Sequence, residues 1–252
     1  MSDLIIVQGV VLSAMPVGEF DRRLTLLTRE RGKISAFARG ARRPNSPFLA
    51  ASGAFVFGRF TLYEGRSSYN LNQVEITHHF ADLAGIWPGI YYGYYFLELA
   101  DYFCREGQDE GEVMNLLYVT ARALQSKRIP DKLIRCIFEL RMMTIQGMMP
   151  DLTQCSRCGK SIGKTEEVVY FSQEEHGICE KACAANGKNL QKLSPAALYA
   201  MRFIVSVPLG KLYTFMVKEE ALSELENIIH IYVRRNTDRE FKSLAILKMM
   251  DP

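Results

Sequence analysis

Hydrophobic periodicity in this chain changes character once, near Phe80, and the change separates a β-type segment from a helical one. Before it, short runs rich in Val, Ile, Thr and aromatic residues alternate with Gly, Pro and Asn. Five strands are predicted, over Leu4 to Leu12, Arg22 to Thr28, Lys33 to Ala38, Ala54 to Tyr63 and Tyr69 to Thr77. Turn signals separate them at Pro16-Val17-Gly18, Arg31-Gly32, Arg43-Pro44-Asn45 and Glu64-Gly65. Short antiparallel strands in so few residues suit a small closed barrel, for which an OB-fold is the commonest solution and an SH3-like barrel the alternative.

After Phe80 apolar residues recur at helical spacing. Leu133, Ile137, Leu140 and Thr144 form one stripe of a helix predicted to end near Gly147. The aromatic run Tyr91, Tyr92, Tyr94, Tyr95 and Phe96 is expected in a helical core, with a groove for a partner's apolar peptide tail as the other use of such a face. Periodicity disappears from Met149 to Leu190 and returns at Ser194-Pro195, a favoured N-cap followed by a favoured first helical residue. The expected organisation is therefore an α+β multi-domain chain. It comprises a five-stranded barrel over 1–80, a helical domain in two parts over 81–148 and 191–252, and an inserted cysteine module over 149–190.

The insertion carries Cys155-Ser156-Arg157-Cys158-Gly159 and, with twenty residues between Cys158 and Cys179, Cys179-Glu180-Lys181-Ala182-Cys183. A tetrahedral zinc ion needs four thiolate or imidazole donors, and a Cys-x-x-Cys turn presents two sulfurs to one metal. The expectation is one structural Zn2+ per chain, held by Cys155, Cys158, Cys179 and Cys183, with a closed coordination sphere and no catalysis. Three residues separate the second pair where two are usual, so His176 is a candidate replacement donor, and unmetallated thiols are the alternative to a metal site. With few large apolar groups, the segment would draw folding free energy from metal binding. Cys104 and Cys136 lie in apolar helical patterns and read as buried small hydrophobes.

The formal net charge of +3 does not by itself implicate a polyanion, but its distribution does. Residues 22–43 hold eight basic side chains, Arg22, Arg23, Arg29, Arg31, Lys33, Arg39, Arg42 and Arg43, against the single acid Glu30, leaving a net of −4 on the remainder. The densest part, Ala38-Arg39-Gly40-Ala41-Arg42-Arg43-Pro44, is a loop whose arginines can reach phosphates without disturbing a barrel core. The bland reading is a solvated charged loop; the missing acidic neighbours favour the functional one. In the fourth strand one face reads Phe55, Phe57, Arg59, Thr61, Tyr63, which fits either a platform for stacking unpaired bases or a surface covered by helices.

No phosphate-binding glycine loop, Gly-x-Ser-x-Gly or His-Glu-x-x-His occurs, and His78, His79 and His230 have no companion at motif spacing, so no enzyme is expected. The N-terminus lacks a positively charged leader and no long uninterrupted apolar run is present, so a cytoplasmic, nucleoid-associated protein with no membrane partner is expected.

Several short matches then fall in a recognisable order: Gly18-Glu19-x-Asp21, Thr28 and Gly32, Ala38-Arg39-Gly40-Ala41-Arg42, Phe138-Glu139-Leu140, Gly147-Met148-Met149-Pro150 leading into Cys155-x-x-Cys158, and Lys242-Ser243-Leu244. In these the chain resembles the bacterial recombination mediator and DNA repair family RecO along nearly its whole length. The resemblance implies an N-terminal OB-fold, a helical body and a zinc module. It implies binding of ssDNA and dsDNA, strand annealing, and action with RecR and the C-terminal tail of single-stranded DNA-binding protein to load the RecA recombinase. Arg39 and Arg42 carry over as DNA contacts by matching position; Arg43, Lys33 and Arg22 join them on charge alone. The wider Cys179–Cys183 spacing departs from the family's usual second pair and puts the fourth ligand in question. Two other function classes remain: an RNA-binding or translation-associated OB-fold protein, and a thiol redox or zinc-dependent enzyme built on the cysteines.

Overall fold

The computed structural model describes residues 3–66, 68–163, 167–185 and 189–250. By internal contact they form two compact units, residues 1–125 with 241–252 and residues 126–240. The expected segments divide the chain by sequence pattern and the units divide it by contact.

The first unit is built on β1 (Leu4–Val17), β2 (Asp21–Thr28), β3 (Gly32–Ala38), β4 (Val56–Glu64) and β5 (Tyr69–His79), with the short helix α1 (Phe48–Ala51) between β3 and β4. The strands pair in the order β1-β2-β3-β5-β4 and close on themselves because β1 pairs with both β2 and β4. This ring is the OB-fold. β1 serves two neighbours along its length, Leu4 to Val10 pairing with β4 and Gly9 to Val17 with β2, and a register irregularity between Val11 and Ser13 bends it within the stretch that faces β2. For that reason β1 runs to Val17, past the predicted end at Leu12, while the other four strands lie within two residues of expectation.

Alternation fills the ring. Val7, Val11, Leu24, Leu26, Ile34, Ala36, Phe60, Leu62 and Leu71 point inward and are almost fully buried, as period-two patterning on a one-sided sheet requires. Gly32, with φ +65°, lets the β2–β3 turn approach the chain at Arg105: a Cβ there would sit 2.2 Å from the Arg105 carbonyl oxygen. Helices α2 (Gly89–Phe103) and α3 (Gly111–Ser126) follow the barrel, and the later helix α8 (Lys242–Met250) packs against α2. Tyr92, Tyr95 and Phe96 of the aromatic run are buried, whereas Tyr94 remains 41% exposed.

In the second unit α4 (Asp131–Ile145), α6 (Pro195–Ser206) and α7 (Glu219–Arg235) pack together. Gly147 takes φ +74° just after α4, the left-handed stop the sequence calls for. Ser194 caps α6 by accepting the Ala197 N–H at 3.3 Å, with Pro195 as its first residue. Between α4 and α6 lie β6 (Asp151–Cys155), β7 (Val169–Ser172), β8 (Gly177–Cys179), the single helical turn α5 (Lys181–Ala184) and β9 (Leu190–Leu193), with the sheet ordered β6-β8-β7-β9. Among the described residues no helix is long and apolar enough to cross a membrane.

Candidate nucleic-acid interface and metal centre

The two N-terminal motifs, twenty residues apart, form one clasp. The Gly40 N–H donates to Asp21 Oδ1 at 2.7 Å, the Arg42 N–H donates to the Phe20 carbonyl at 2.8 Å, and the Arg42 guanidinium donates to the carbonyls of Glu19 at 3.1 Å and Gly18 at 3.3 Å. The Arg43 guanidinium lies over the Phe20 ring, 5.1 Å from its centroid. Arg42 and Arg43 are exposed despite these contacts, and Arg39 is exposed with no ion pair or hydrogen bond from its side chain among the described residues. The loop thus holds three arginines at the solvent boundary on a fixed backbone.

The other two predicted contacts are engaged within the chain. The Arg22 guanidinium donates to Ser52 Oγ at 2.7 Å and to the Ser52 carbonyl at 3.3 Å, tying β2 to the end of α1. The Lys33 ammonium lies 3.4 Å from Asp101 Oδ1 and also donates to the Asp101 carbonyl, tying β3 to α2.

On β4 the structure decides between the two readings of the aromatic face. Phe55 is 4% and Phe57 6% exposed. Phe55 packs at 6.0 Å on Tyr94, and Phe57 meets Phe80 and Tyr118 edge to face at 5.6 Å. Both are covered by following chain, so they are packing residues; of the three aromatic residues on this face Tyr63 alone, at 42%, stays exposed, next to the exposed Arg59.

The outward surface lies instead on β2 and β3. Strand register places Met15, Arg23, Phe37 and Asn70 in one row across β1, β2, β3 and β5. Met15 is 64% exposed, Arg23 is exposed, and Phe37 is half-buried. Beside it runs Ser13, Thr25 and Ser35, in which Ser13 donates to Thr25 at 3.1 Å and the Arg23 guanidinium donates to Ser35 at 2.8 Å. Sequence reasoning counted Arg23 in the basic block without giving it a contact role and overlooked Phe37 and Met15, although the alternation of Arg23 and Thr25 against Leu24 and Leu26 already puts the former pair outside.

In the second unit the sulfurs of Cys155, Cys158 and Cys183 all lie within 4.8 Å of one another. Cys179, fully buried in β8, is not in that group, and neither is His176, whose Nδ1 lies 3.2 Å from the Tyr232 hydroxyl. Burial pushes the Cys155 thiol up, but the backbone N–H groups of Cys158, Glu180 and Arg157 and the Cys158 thiol together draw it down to about 7. Cys183 is pushed up to about 12 by its hydrogen bond to Cys158 and by burial, and burial also raises Cys179. A sulfur receiving several N–H donors is prepared to be a thiolate, so the gathered thiols fit a thiophilic divalent metal such as zinc.

A closed five-stranded barrel with outward arginines, joined to a helical unit carrying a gathered cysteine centre, defines an OB-fold protein with a cysteine-bearing accessory module. The chain belongs to the RecO family: residues 1–80 match the family model described as Recombination protein O N terminal, and residues 87–245 match Recombination protein O C terminal. It is 32% identical over 243 residues to DNA repair protein RecO of Symbiobacterium thermophilum, covering 96% of this chain and 95% of that one. It is 30% identical over 246 residues to DNA repair protein RecO of Alkaliphilus metalliredigens, covering 97% and 99%. The protein of that name from Acetivibrio thermocellus is 28% identical over 244 residues, covering 96% of each. Membership places the chain in DNA repair and recombination.

Proposed function

We propose that this protein is a recombination mediator that binds single- and double-stranded DNA, anneals complementary strands without nucleotide hydrolysis, and works with RecR and the tail of single-stranded DNA-binding protein to load the recombinase RecA. The reading rests above all on the clasped loop that leaves Arg39 unpaired in solvent, among the described residues, beside Arg42 and Arg43. Guanidinium groups held at the solvent boundary neutralise phosphates at little ordering cost, and base pairing then supplies the specificity of annealing. Phe37 and Met15, flanking Arg23, offer apolar faces to unpaired bases on the same barrel. Arg22 and Lys33, engaged with Ser52 and Asp101, add to the field around the DNA more than to direct contact. The cysteine centre holds zinc in a structural role.

The triple variant Arg39→Glu, Arg42→Glu, Arg43→Glu tests this. Strand annealing is expected to fall to the uncatalysed rate while circular dichroism shows an intact fold. The single variant Arg39→Ala is expected to reduce the slope of log K against log salt on single-stranded DNA by ~0.7, the value for one phosphate contact. Undiminished annealing by the triple variant would refute the proposed surface.

A further inference from the structure

The first unit exposes aromatic surface that neither the barrel core nor the arginine loop accounts for. Trp87, the chain's single tryptophan, is 64% exposed at the turn into α2, and Tyr94 is 41% exposed on that helix. Tyr91 stands between them, half-buried, its ring 5.0 Å from that of Trp87 and edge to face with it. Residues 87, 91 and 94 follow the i, i+4, i+7 spacing that puts side chains on one side of a helix. Tyr92, Tyr95 and Phe96 occupy the buried side. An indole left in water forgoes the gain of burial, and a contiguous group of such rings marks a surface for a partner.

The way α2 seats on the barrel holds the three rings outward. A Cβ on Gly93 would lie 2.7 Å from Phe55 Cζ, so the glycine lets the helix close onto that ring. Tyr94 then packs 6.0 Å from the buried Phe55 and keeps its outer part in solvent. In an edge-to-face pair, the ring that supplies its edge keeps both of its own faces open. Flat faces with N–H and O–H groups on their rims match nucleobases. Glu98, the next residue on this side of α2, accepts the Ser243 N–H at 3.2 Å.

The rings also adjoin the basic loop. Arg22, opposite Ala38 where the loop begins, donates to Ser52 Oγ at 2.7 Å at the end of α1. Phe55 follows Ser52 by three residues, at most roughly 11 Å of extended chain, and its ring meets Tyr94. Loop and rings therefore lie within reach of one strand of the ~4–16 nucleotides that a single OB fold accommodates.

We propose that Trp87, Tyr91 and Tyr94 form a platform on α2 that stacks the bases of a single strand whose phosphates are held at the arginine loop. The proposal rests on the reading of that loop as a phosphate contact and adds a means of choosing between DNA forms. The arginines attract any polyanion. The rings favour unpaired strands, because in a duplex the faces of the bases are already covered.

Trp87 is itself the reporter, since no other tryptophan contributes to the emission. A thymidine oligonucleotide of about sixteen residues, the upper site size for one OB fold, is titrated into the full-length protein. Trp87 quenching should saturate together with the anisotropy of an end-labelled strand, and matched duplex should bind with little quenching. Trp87→Ala should weaken single-strand affinity about 5- to 150-fold, the range for one base on one ring. Its circular dichroism, its duplex affinity and its slope of log K against log salt should stay unchanged, because no phosphate contact is lost. Trp87→Phe keeps a ring and should recover part of the loss. Single-strand binding with Trp87 emission unmoved and Trp87→Ala affinity intact overturns the platform and leaves the arginine loop standing. Equal quenching by duplex overturns it too. Quenching by the C-terminal peptide of single-stranded DNA-binding protein, with none by the oligonucleotide, assigns the face to a protein partner and overturns it as well. Binding of neither DNA form overturns the platform and the loop together.

Discussion

The Asp21 carboxylate accepts the Gly40 N–H at 2.7 Å, so the turn after β1 holds the loop after β3 in place. Gly40 takes φ +65°, and that left-handed position lets the loop double back onto the turn. Removing the acceptor should release the loop without touching the barrel core. Asp21→Ala is expected to cost about 1.5–3 kcal/mol of stability, the range for a hydrogen bond to a charged group. It should also speed hydrogen exchange at the Gly40 amide and weaken DNA binding with no change in the salt slope, since no phosphate contact is lost. Asp21→Asn keeps an acceptor oxygen and should recover most of both effects. A changed salt slope in Asp21→Ala would mean the loop does more than orient its arginines.

Phe37 and Phe57 are both aromatic strand residues, but they occupy opposite environments and should separate cleanly on mutation. Phe57 is enclosed by Phe80 and Tyr118, so Phe57→Ala is expected to destabilise by about 3–5 kcal/mol, the cost of a cavity in a packed aromatic cluster. Phe37 stands in the outward row with Arg23 and Met15. Phe37→Ala should leave the denaturation midpoint nearly unchanged and cost about 1–3 kcal/mol in affinity for single-stranded DNA, the range for one base stacked on an aromatic ring. The discriminating measurement is a pair of urea curves and binding isotherms at one fixed salt concentration. Loss of DNA affinity in the Phe57 variant at a temperature where it is folded would return β4 to the interface.

These two residues also show where the sequence is legible and where it stops. Alternation on β2 and β3 identifies the inner face without help, because Leu24, Leu26, Ile34 and Ala36 have no other way to leave water. On β4 both faces carry aromatic side chains, and period alone cannot say whether those of the second are covered by protein or open to a ligand; that depends on α2 and α3, which arrive from later in the chain. The arginines of 22–43 are equally alike in sequence. Only tertiary partners separate Arg22, bound to Ser52, from Arg39, which has none among the described residues. The cysteine cluster is legible as a set, yet only the tertiary structure tells that the sulfurs of Cys155, Cys158 and Cys183 gather within 4.8 Å of one another while Cys179 stays outside that group.

Arg202 of α6 binds the cysteine module's backbone. Its guanidinium donates to the Leu152 carbonyl at 2.8 Å and the Gly163 carbonyl at 2.7 Å, and also to the Ile162 carbonyl. Burial lowers the Arg202 pKa, but a guanidinium starts so far above neutrality that the group stays charged. One side chain therefore satisfies acceptors on both sides of the Cys155–Cys158 turn. Arg202→Met should cost about 2–4 kcal/mol, less than three independent charged hydrogen bonds because carbonyls near the surface can take water. Arg202→Lys, with a single ammonium in place of a planar fork, should fall between. Hydrogen exchange should rise at residues 152–163 first, ahead of α4 and α7. Uniform acceleration across the unit would indicate that Arg202 supports the helices rather than the module.

Acid should act on the same module through two carboxylates. At Asp151 burial works upward, but the N–H and hydroxyl of Thr153 and the Gln154 contacts outweigh it and lower the pKa from its ordinary 3.8. At Glu175 the Ser156 hydroxyl lowers the pKa from 4.5 against the opposing effect of burial, with help from the Arg157 guanidinium at 2.9 Å. Because the folded values lie below the unfolded ones, the folded state binds fewer protons in that window. Their contribution is fully present above the unfolded values and is lost as pH falls through the lower folded ones. Stability of the second unit should therefore decline from about pH 4.5 downward, with Asp151 acting at the acid end of that range. The double variant Asp151→Asn, Glu175→Gln should be less stable than the native protein at pH 7 and should show a flatter decline below about pH 4.5. The measurement is amide exchange at Thr153 and Gln154 across pH at constant metal occupancy, corrected for intrinsic exchange rates. Parallel acid slopes in the two proteins would show that the lost stability belongs to other carboxylates.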